Sequence, residues 1–553
     1  MGPPVGMRPL RARCASLGIC LLLARPAFVR PDDADRISGD LLRRPGPAQI
    51  VDSRAVAGSD WLEFNRDSQH TGQNESEWRI SRDNVSSLKT LFRVPMIDVA
   101  DGPPGYLRQV ETAAGTRDLL FATTSAGFVV AHDGCTGSRV WYVPAIAGPR
   151  WTTSLPTVDP NRQFVYSYQL DGFVHKFRVG DGSEITGGGW PQLTTLKPDV
   201  EKGSSDLSIV VARDGRRFLY ATHAGYPGPG PGDQGDYQGH VTAIDLDAGT
   251  QTIFNTLCSD RAFHFDASTV APKDCSHLRA AVWGRSGVTY DPVTDRIFFT
   301  TGNGDFDGNQ GGREWGDTVL ALPPDLSTAD GMPADSYTPT DFQDLDDNDE
   351  DLGSSNPLIL PDPVRGGPSR IAVQTGKDGQ VRLLDVSDLS GQGGPGHVGG
   401  ERAIMPLPQG GEVLTSPAAW VDPEDQSVWI FIANDNGISG LRLVAGGLQQ
   451  ERVRRTSPTG RRTAPATVMW TQMRGGTSPI VANGVLYYAG SGFIAALNPR
   501  TGQELWSDHG VGLIHWQSPI LVNGVLYVAD NTPALLAYAP GGSVEARSDG
   551  PCH

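Results

Sequence analysis

The stretch "TTGNGDFDGN", residues 300–309, concentrates oxygen ligands. Asn303, Asp305 and Asp307 alternate with Gly304 and Phe306, Gly308 follows, and Glu314 sits further on. The spacing N-x-D-x-D-G-x5-E is that of a calcium loop of the EF-hand kind, in which oxygen donors surround a hard cation. Three readings follow: a calcium loop between helices, an acidic turn that holds no ion, or one edge of a larger site. A second acidic run, "DFQDLDDNDED" from Asp341 to Asp351, reads by default as a solvated loop. "IHWQSP" brings His515, Trp516 and Gln517 together, and "PRWTTS" brings Arg150 and Trp151 together.

The elements that must carry these residues are strands. "SPIVANGVLYYAG" from Ser478 and "SPILVNGVLYVAD" from Ser518 match almost position for position. Each reads strand, Asn-Gly turn, strand. A second pattern follows such hairpins: "GFVVAHDGCTGSRVW" from Gly127 and "GFIAALNPRTGQELW" from Gly492, with looser copies from Gly239 and Gly379. Alternating apolar residues make a third strand, Asp or Asn with Thr-Gly makes a turn, and a fourth strand ends on an apolar residue such as Trp141 or Trp506. One four-stranded unit cannot bury both faces, whereas a ring of units does and shields its edges. Eight units fit between residues 110 and 540, which predicts an all-β, eight-bladed propeller over 55–545 with a tail at 546–553. The segment from "WLEFNRDSQHTGQN" through "LKTLFRVPM" is expected to supply the missing outer strand of the last blade. Long insertions are expected on the third, fourth and fifth blades. "RIFF" runs straight into "TTGNGDFDGN", so the flanking helices of an EF-hand are not expected.

Composition narrows the function classes. Gly (68) and Pro (42) suit many turns, and a net charge of −17 argues against nucleic acid or an anionic membrane surface as the main partner. No apolar run reaches the length of a membrane span. Arg8, Arg11 and Arg13 before "CASLGICLLLA" read as an export signal over 1–29, with a leader over 30–54. The expected location is therefore periplasmic or secreted. Cys14 and Cys20 would leave with the signal. Of the four that remain, Cys258 and Cys275 bracket one insertion and are the expected disulfide, with Cys135 and Cys552 left for a second. No C-x-x-C-H occurs, so no c-type haem is expected on this chain.

The Gly-x-Val-x-Ala-x-Asp-x-x-Thr-Gly-x-x-x-Trp repeat resembles that of the pyrroloquinoline quinone (PQQ) propellers. This superfamily holds both quinoprotein alcohol dehydrogenases and a non-catalytic outer-membrane assembly lipoprotein. Four local matches point to the dehydrogenases. "TYDPVTDRIFFTTGN" resembles the stretch bearing a calcium-binding Asn, here Asn303. "VWG" sets Trp283 where the family keeps a Trp beneath the quinone. "DNDEDLGSSNP" resembles the segment of the catalytic Asp, here Asp349 or Asp351, with Asp349 also a metal ligand, and its "DLGSS" is similar to that of the polyvinyl-alcohol dehydrogenase group. "GKDGQVRLLD" resembles the turn whose Lys contacts the quinone, here Lys377.

The resemblance implies PQQ and calcium as cofactors, a small-molecule or polymeric alcohol as substrate, and a separate electron acceptor such as a cytochrome c. Two departures stand against it. The family's vicinal Cys pair is absent, and the third-blade Glu that ligates calcium has no clear counterpart, Asp233 or Asp236 being nearest. A non-catalytic propeller that binds a protein or polymer is the alternative. Convergence of Asn303, Lys377 and Asp349 or Asp351 on one axial pocket would separate the two.

Overall fold

The computed structural model describes residues 60–148, 150–228, 235–266, 274–362, 368–443 and 466–542. The expected export signal, leader and C-terminal tail lie outside them, as do Asp233 and Cys552. The described residues form eight sheets of the expected four-stranded antiparallel kind, with an extra strand on the third and, pairing parallel, Gln73–Asn74 on the seventh. The one α-helix among the described residues is Phe342–Asn348. No described helix is long and apolar enough to cross a membrane.

The repeats fold as their residues require. In the two Asn-Gly hairpins Asn483 and Gly484 have φ of 44° and 70°, and Asn523 and Gly524 have 52° and 80°. Two successive positive values are what a tight hairpin of matching twist needs. The Trp that ends a fourth strand ties its blade to the next. Trp141 Nε1 donates to the Val179 carbonyl (2.9 Å), and its ring covers Gly182, where a Cβ would lie 2.6 Å from it. Trp506 Nε1 donates likewise to the Leu88 carbonyl (3.0 Å).

First strands of neighbouring blades approach one another, so they line the axis. The ring closes as expected through Leu88–Pro95, which pairs antiparallel with Ala534–Pro540 of the last blade. The residues before that strand depart from the expectation. Trp61–Asn74 does not extend the outer strand but crosses the axial region. Its carbonyls accept from first-strand amides of several blades: Leu62 from Val158 (3.0 Å), Ser68 from Tyr290 (2.7 Å), Thr71 from Ala419 (2.8 Å) and Gly72 from Val481 (2.9 Å). Apart from the two-residue strand Gln73–Asn74 its residues are polar and irregular, and axial first-strand amides would otherwise be buried without acceptors. Cys258 and Cys275 are joined as expected (Cα–Cα 5.8 Å). Cys135 is also disulfide-bonded.

Candidate functional site

The fourth blade's second strand, Arg296–Thr300, runs through Thr301 and Gly302 to Asn303, which lines a cavity of about 410 Å³. Trp283, Asn303, Asp349, Asp351 and Lys377 all line it. The expected residues thus converge, although they come from four connections separated by up to 94 positions in the chain (283 to 377).

Their mutual geometry is tight. Asp351 Oδ1 accepts from the Asn303 backbone amide (3.0 Å) and faces Trp283 Nε1 at 3.4 Å. Its Oδ2 pairs with Lys377 Nζ at 2.5 Å. Asp349 Oδ1 accepts from Asn303 Nδ2 (3.0 Å) and lies 3.2 Å from the same ammonium. Lys377 Nζ is 5.4 Å from the centre of the Trp283 ring. Burial would favour the neutral Lys377 amine, but Asp351 and Asp349 outweigh it and hold the ammonium above its ordinary pKa.

Local backbone explains the approach. Asp349 caps the helix Phe342–Asn348 with φ of 59°, which turns the chain sharply toward Asp351 and the short 3-10 turn Leu352–Ser354. Gly302 must lack a side chain, since a Cβ there would lie 2.0 Å from Asp351 Oδ1. Lys377 sits in the turn after the strand Pro368–Thr375, and its amide donates to the Asp351 carbonyl (3.0 Å).

The opposite wall carries more charge than the sequence suggested. His515 and Trp516 line the cavity, and Trp151 joins them. Gln517 is buried behind, donating to the Ala100 carbonyl (3.0 Å), and Arg150 stacks on Tyr226 outside the lining. His515 Nδ1 is 2.9 Å from Asp101 Oδ2. Burial alone would raise Asp101, but His515 and Arg285 hold it below the usual carboxylate range. Arg285 is buried, donates to the carbonyls of Thr153, Ser204 and Asp101, and lies 5.5 Å over the Trp516 ring. Lys202 lines the same wall, its pKa pushed down to about 8 by burial and by Arg285. Beside Asp351 the buried Asp317 carboxyl is raised well above its ordinary value, first by burial and then by Asp351. The sequence carried a weak signal for Arg285, two residues beyond Trp283 in "VWGRSG", and none for Lys202, Asp101 or Asp317.

Two candidate ligand sets do not assemble. Asp236 is exposed and does not line the cavity, where the neighbouring Tyr237 does; no blade-three carboxylate lines it among the described residues. Tyr237 packs on Gly225, whose Cβ would fall 1.6 Å from its ring. The calcium-loop spacing of Asp305, Asp307 and Glu314 does not gather its oxygens at one point. Asp305 pairs with His277, Asp307 Oδ1 accepts from the Glu314 amide (2.9 Å), and Glu314 Oε2 accepts from the Cys258 amide (3.0 Å). The loop lies between strands and spends its carboxylates on itself and on the neighbouring insertion.

Whether calcium and PQQ suit the cavity can be tested on its donors. Asn303 Oδ1 is buried without a hydrogen-bond partner among the described residues. An orphaned amide oxygen beside two carboxylates is a donor set for a hard cation. Lys377, Lys202 and Arg285 match a polyanion, and Trp283 offers a flat face. The residues present fit the pair.

No protein-family profile matches the chain, and no curated protein matches it. Solved structures do match. The quinohemoprotein alcohol dehydrogenase ADHIIG from Pseudomonas putida HK5 is 14% identical over 91% of this chain and 84% of its own, with a TM-score of 0.59. The quinohemoprotein alcohol dehydrogenase from Comamonas testosteroni is 14% identical over 90% and 83%, at 0.60. A europium-containing methanol dehydrogenase is 15% identical over 87% and 98%, at 0.59. The likeness establishes the fold. At such identities the chemistry must be argued from the cavity.

Proposed function

We propose that this chain is an exported quinoprotein-type oxidoreductase, periplasmic or secreted, that oxidises a small-molecule or polymeric alcohol with PQQ and calcium. One observation carries the reading: Trp283, Asn303, Asp349, Asp351 and Lys377 line a single axial cavity. In a non-catalytic propeller nothing would require these five to meet.

Asn303 Oδ1 and the Asp349 and Asp351 carboxylates would hold the cation, Trp283 would support the quinone ring, and Lys377, Lys202 and Arg285 would face its negative groups. When bound, the calcium-polarised quinone supplies the electron-pair acceptor for hydride. The chain's own part is proton management and orientation. Asp351 has both oxygens engaged, by Asn303 N and by Lys377. Asp349 has only Oδ1 engaged among the described residues, and its side chain is 65% exposed. Asp349 is therefore the base that takes the substrate hydroxyl proton, while Asp351 anchors Lys377 and the Asn303 backbone. The Lys377 ammonium lies between the two carboxylates and bridges them. With no haem-attachment motif in the sequence, electrons pass to a separate acceptor such as a cytochrome c.

The test is dye reduction by the full chain supplied with PQQ, calcium and a panel of primary and secondary alcohols. Asp349→Asn should lower the rate on the order of 100-fold or more with quinone binding kept. Asp351→Asn should act mainly by weakening quinone and calcium binding. A parent protein that binds no quinone and reduces no dye would return the chain to the non-catalytic, polymer- or protein-binding class.

A further inference from the structure

We propose that the segment Cys275–Trp283 is a strap that sets the position of Asp349 and Asn303 together, and that Arg279, paired with Asp346, is its positioning residue. The inference rests on the functional reading above for its consequence, though not for its geometry.

The strap is rooted and laced. Cys275 is covalently joined to Cys258, and both are buried. Gln238 Nε2 donates to the carbonyls of Cys275 (3.1 Å) and His277 (2.8 Å). The Arg279 amide donates to the Tyr237 carbonyl (2.8 Å), and the Arg279 carbonyl accepts from Gly239 (2.9 Å). On its other edge the Ala280 amide donates to the Asn303 carbonyl (2.7 Å), and the Ala281 carbonyl accepts from Gly302 (2.8 Å). The strap thus lies between the third blade and the loop that carries Asn303. His277 ties it further along the same loop, to Asp305 and, at 3.7 Å, to Glu314.

Arg279 reaches the other ligand-bearing element. Its guanidinium grips Asp346 with two contacts, Nη1 to Oδ1 at 2.8 Å and Nη2 to Oδ2 at 3.1 Å. Only the Nη2–Oδ2 contact is a hydrogen bond, the Oδ1 contact being a close ion pair, and together they hold the helix end against the strap. Asp346 lies in the last turn of Phe342–Asn348, the helix that Asp349 caps. The helix has seven residues, too few to hold its own shape, so its end is set by tertiary contacts. Those are Phe342 on Phe306 (4.9 Å between ring centres), Leu345 in the core, and the Arg279–Asp346 pair nearest Asp349.

The backbone marks the same place. Arg279 and Ala280 have φ of 80° and 48°, a region that L side chains seldom occupy. Such a conformation persists where its surroundings hold it, and here both edges are hydrogen-bonded. It turns the Arg279 side chain toward the helix while the next amide stays on Asn303. Arg279 is not among the residues lining the cavity. Its action would run through the geometry of the residues that are.

The experiment uses the full chain with Arg279→Met, Asp346→Asn, both together, and Arg279→Lys. Amide hydrogen exchange over residues 346–352 is read without ligand, calcium affinity is read calorimetrically with PQQ present, and thermal unfolding is read for each. Each single variant should speed exchange over 346–352 by about 10-fold or more while the blade strands keep their protection. Calcium should bind about 10- to 100-fold more weakly, the range for partners that orient a metal ligand. The double variant should be no worse than the worse single one, and Arg279→Lys should recover part of the affinity. Unchanged exchange over 346–352 overturns the proposal, as does an exchange gain spread evenly over all blades. A parent that binds no calcium refutes the functional reading alone, because the exchange comparison still decides whether the strap orders the Asp349 turn. If Arg279→Met does not fold, Asp346→Asn supplies the same readouts with the strap backbone untouched.

Discussion

At the scale of single residues, Asn303 makes the most specific claim on a ligand. Its backbone amide and its Nδ2 are spent on Asp351 and Asp349, which leaves Oδ1 buried and unpaired among the described residues. A buried amide oxygen without a donor costs free energy on the order of 1–3 kcal/mol, and a bound cation would remove that cost. Asn303→Ala deletes the oxygen and keeps the backbone bond to Asp351. Calcium titration calorimetry should then show at least a ~10-fold loss of affinity. Equal affinity in variant and parent would take Asn303 out of the metal site.

At the scale of elements, a blade can be tuned by one side chain. In the second blade His175 lies on the strand Phe173–Arg178, with Nδ1 2.7 Å from Glu184 and Nε2 3.2 Å from Asp171. Burial opposes its protonation, but the two carboxylates outweigh that and raise its pKa above the ordinary 6.5. The folded chain therefore holds this proton more tightly than the unfolded chain. The stabilisation is fully present below the unfolded value of 6.5 and is lost as pH rises through the raised folded value. His175→Gln should cost about 1 kcal/mol in urea denaturation at pH 5, a modest figure because the carboxylates are partly solvated. The cost should shrink toward zero by pH 9. A cost independent of pH would assign His175 a packing role alone.

At the scale of the whole molecule, closure depends on residues before the first blade. Leu88–Pro95 completes the last blade, and Trp61–Asn74 feeds carbonyls to first strands around the axis. A chain lacking residues up to Pro95 would expose the edge of Ala534–Pro540 and leave axial amides without acceptors. It should lose cooperative thermal unfolding and elute as aggregates in size-exclusion chromatography. A monomer that melts like the parent would show that the ring closes without this segment.

What the sequence determined by itself is what depends on neighbours along the chain. Period-two apolar strands, Asn-Gly turns and a terminal Trp are local patterns, and their repetition led to eight blades and to the segment from Trp61 through "LKTLFRVPM" as the source of the closing strand, of which Leu88–Pro95 is the part that closes the ring. Resemblance placed Trp283, Asn303, Asp349, Asp351 and Lys377 in one site for the same reason: each belongs to a short contiguous motif. Residues recruited by spatial meeting had no such motif. Lys202 and Arg285 line the cavity because distant first strands converge on the axis, Asp101 stands behind them on His515 and Arg285, and Tyr237 rather than Asp236 reaches it because a ring can lie on Gly225. The calcium-loop spacing from Asn303 to Glu314 did not gather its donors, because spacing fixes the order of donors and not the direction in which they point. Only the tertiary structure turned Asn303 toward the cavity, Asp305 toward His277 and Glu314 toward the Cys258 amide, each carboxylate or amide going where a long-range partner met its hydrogen-bonding demand.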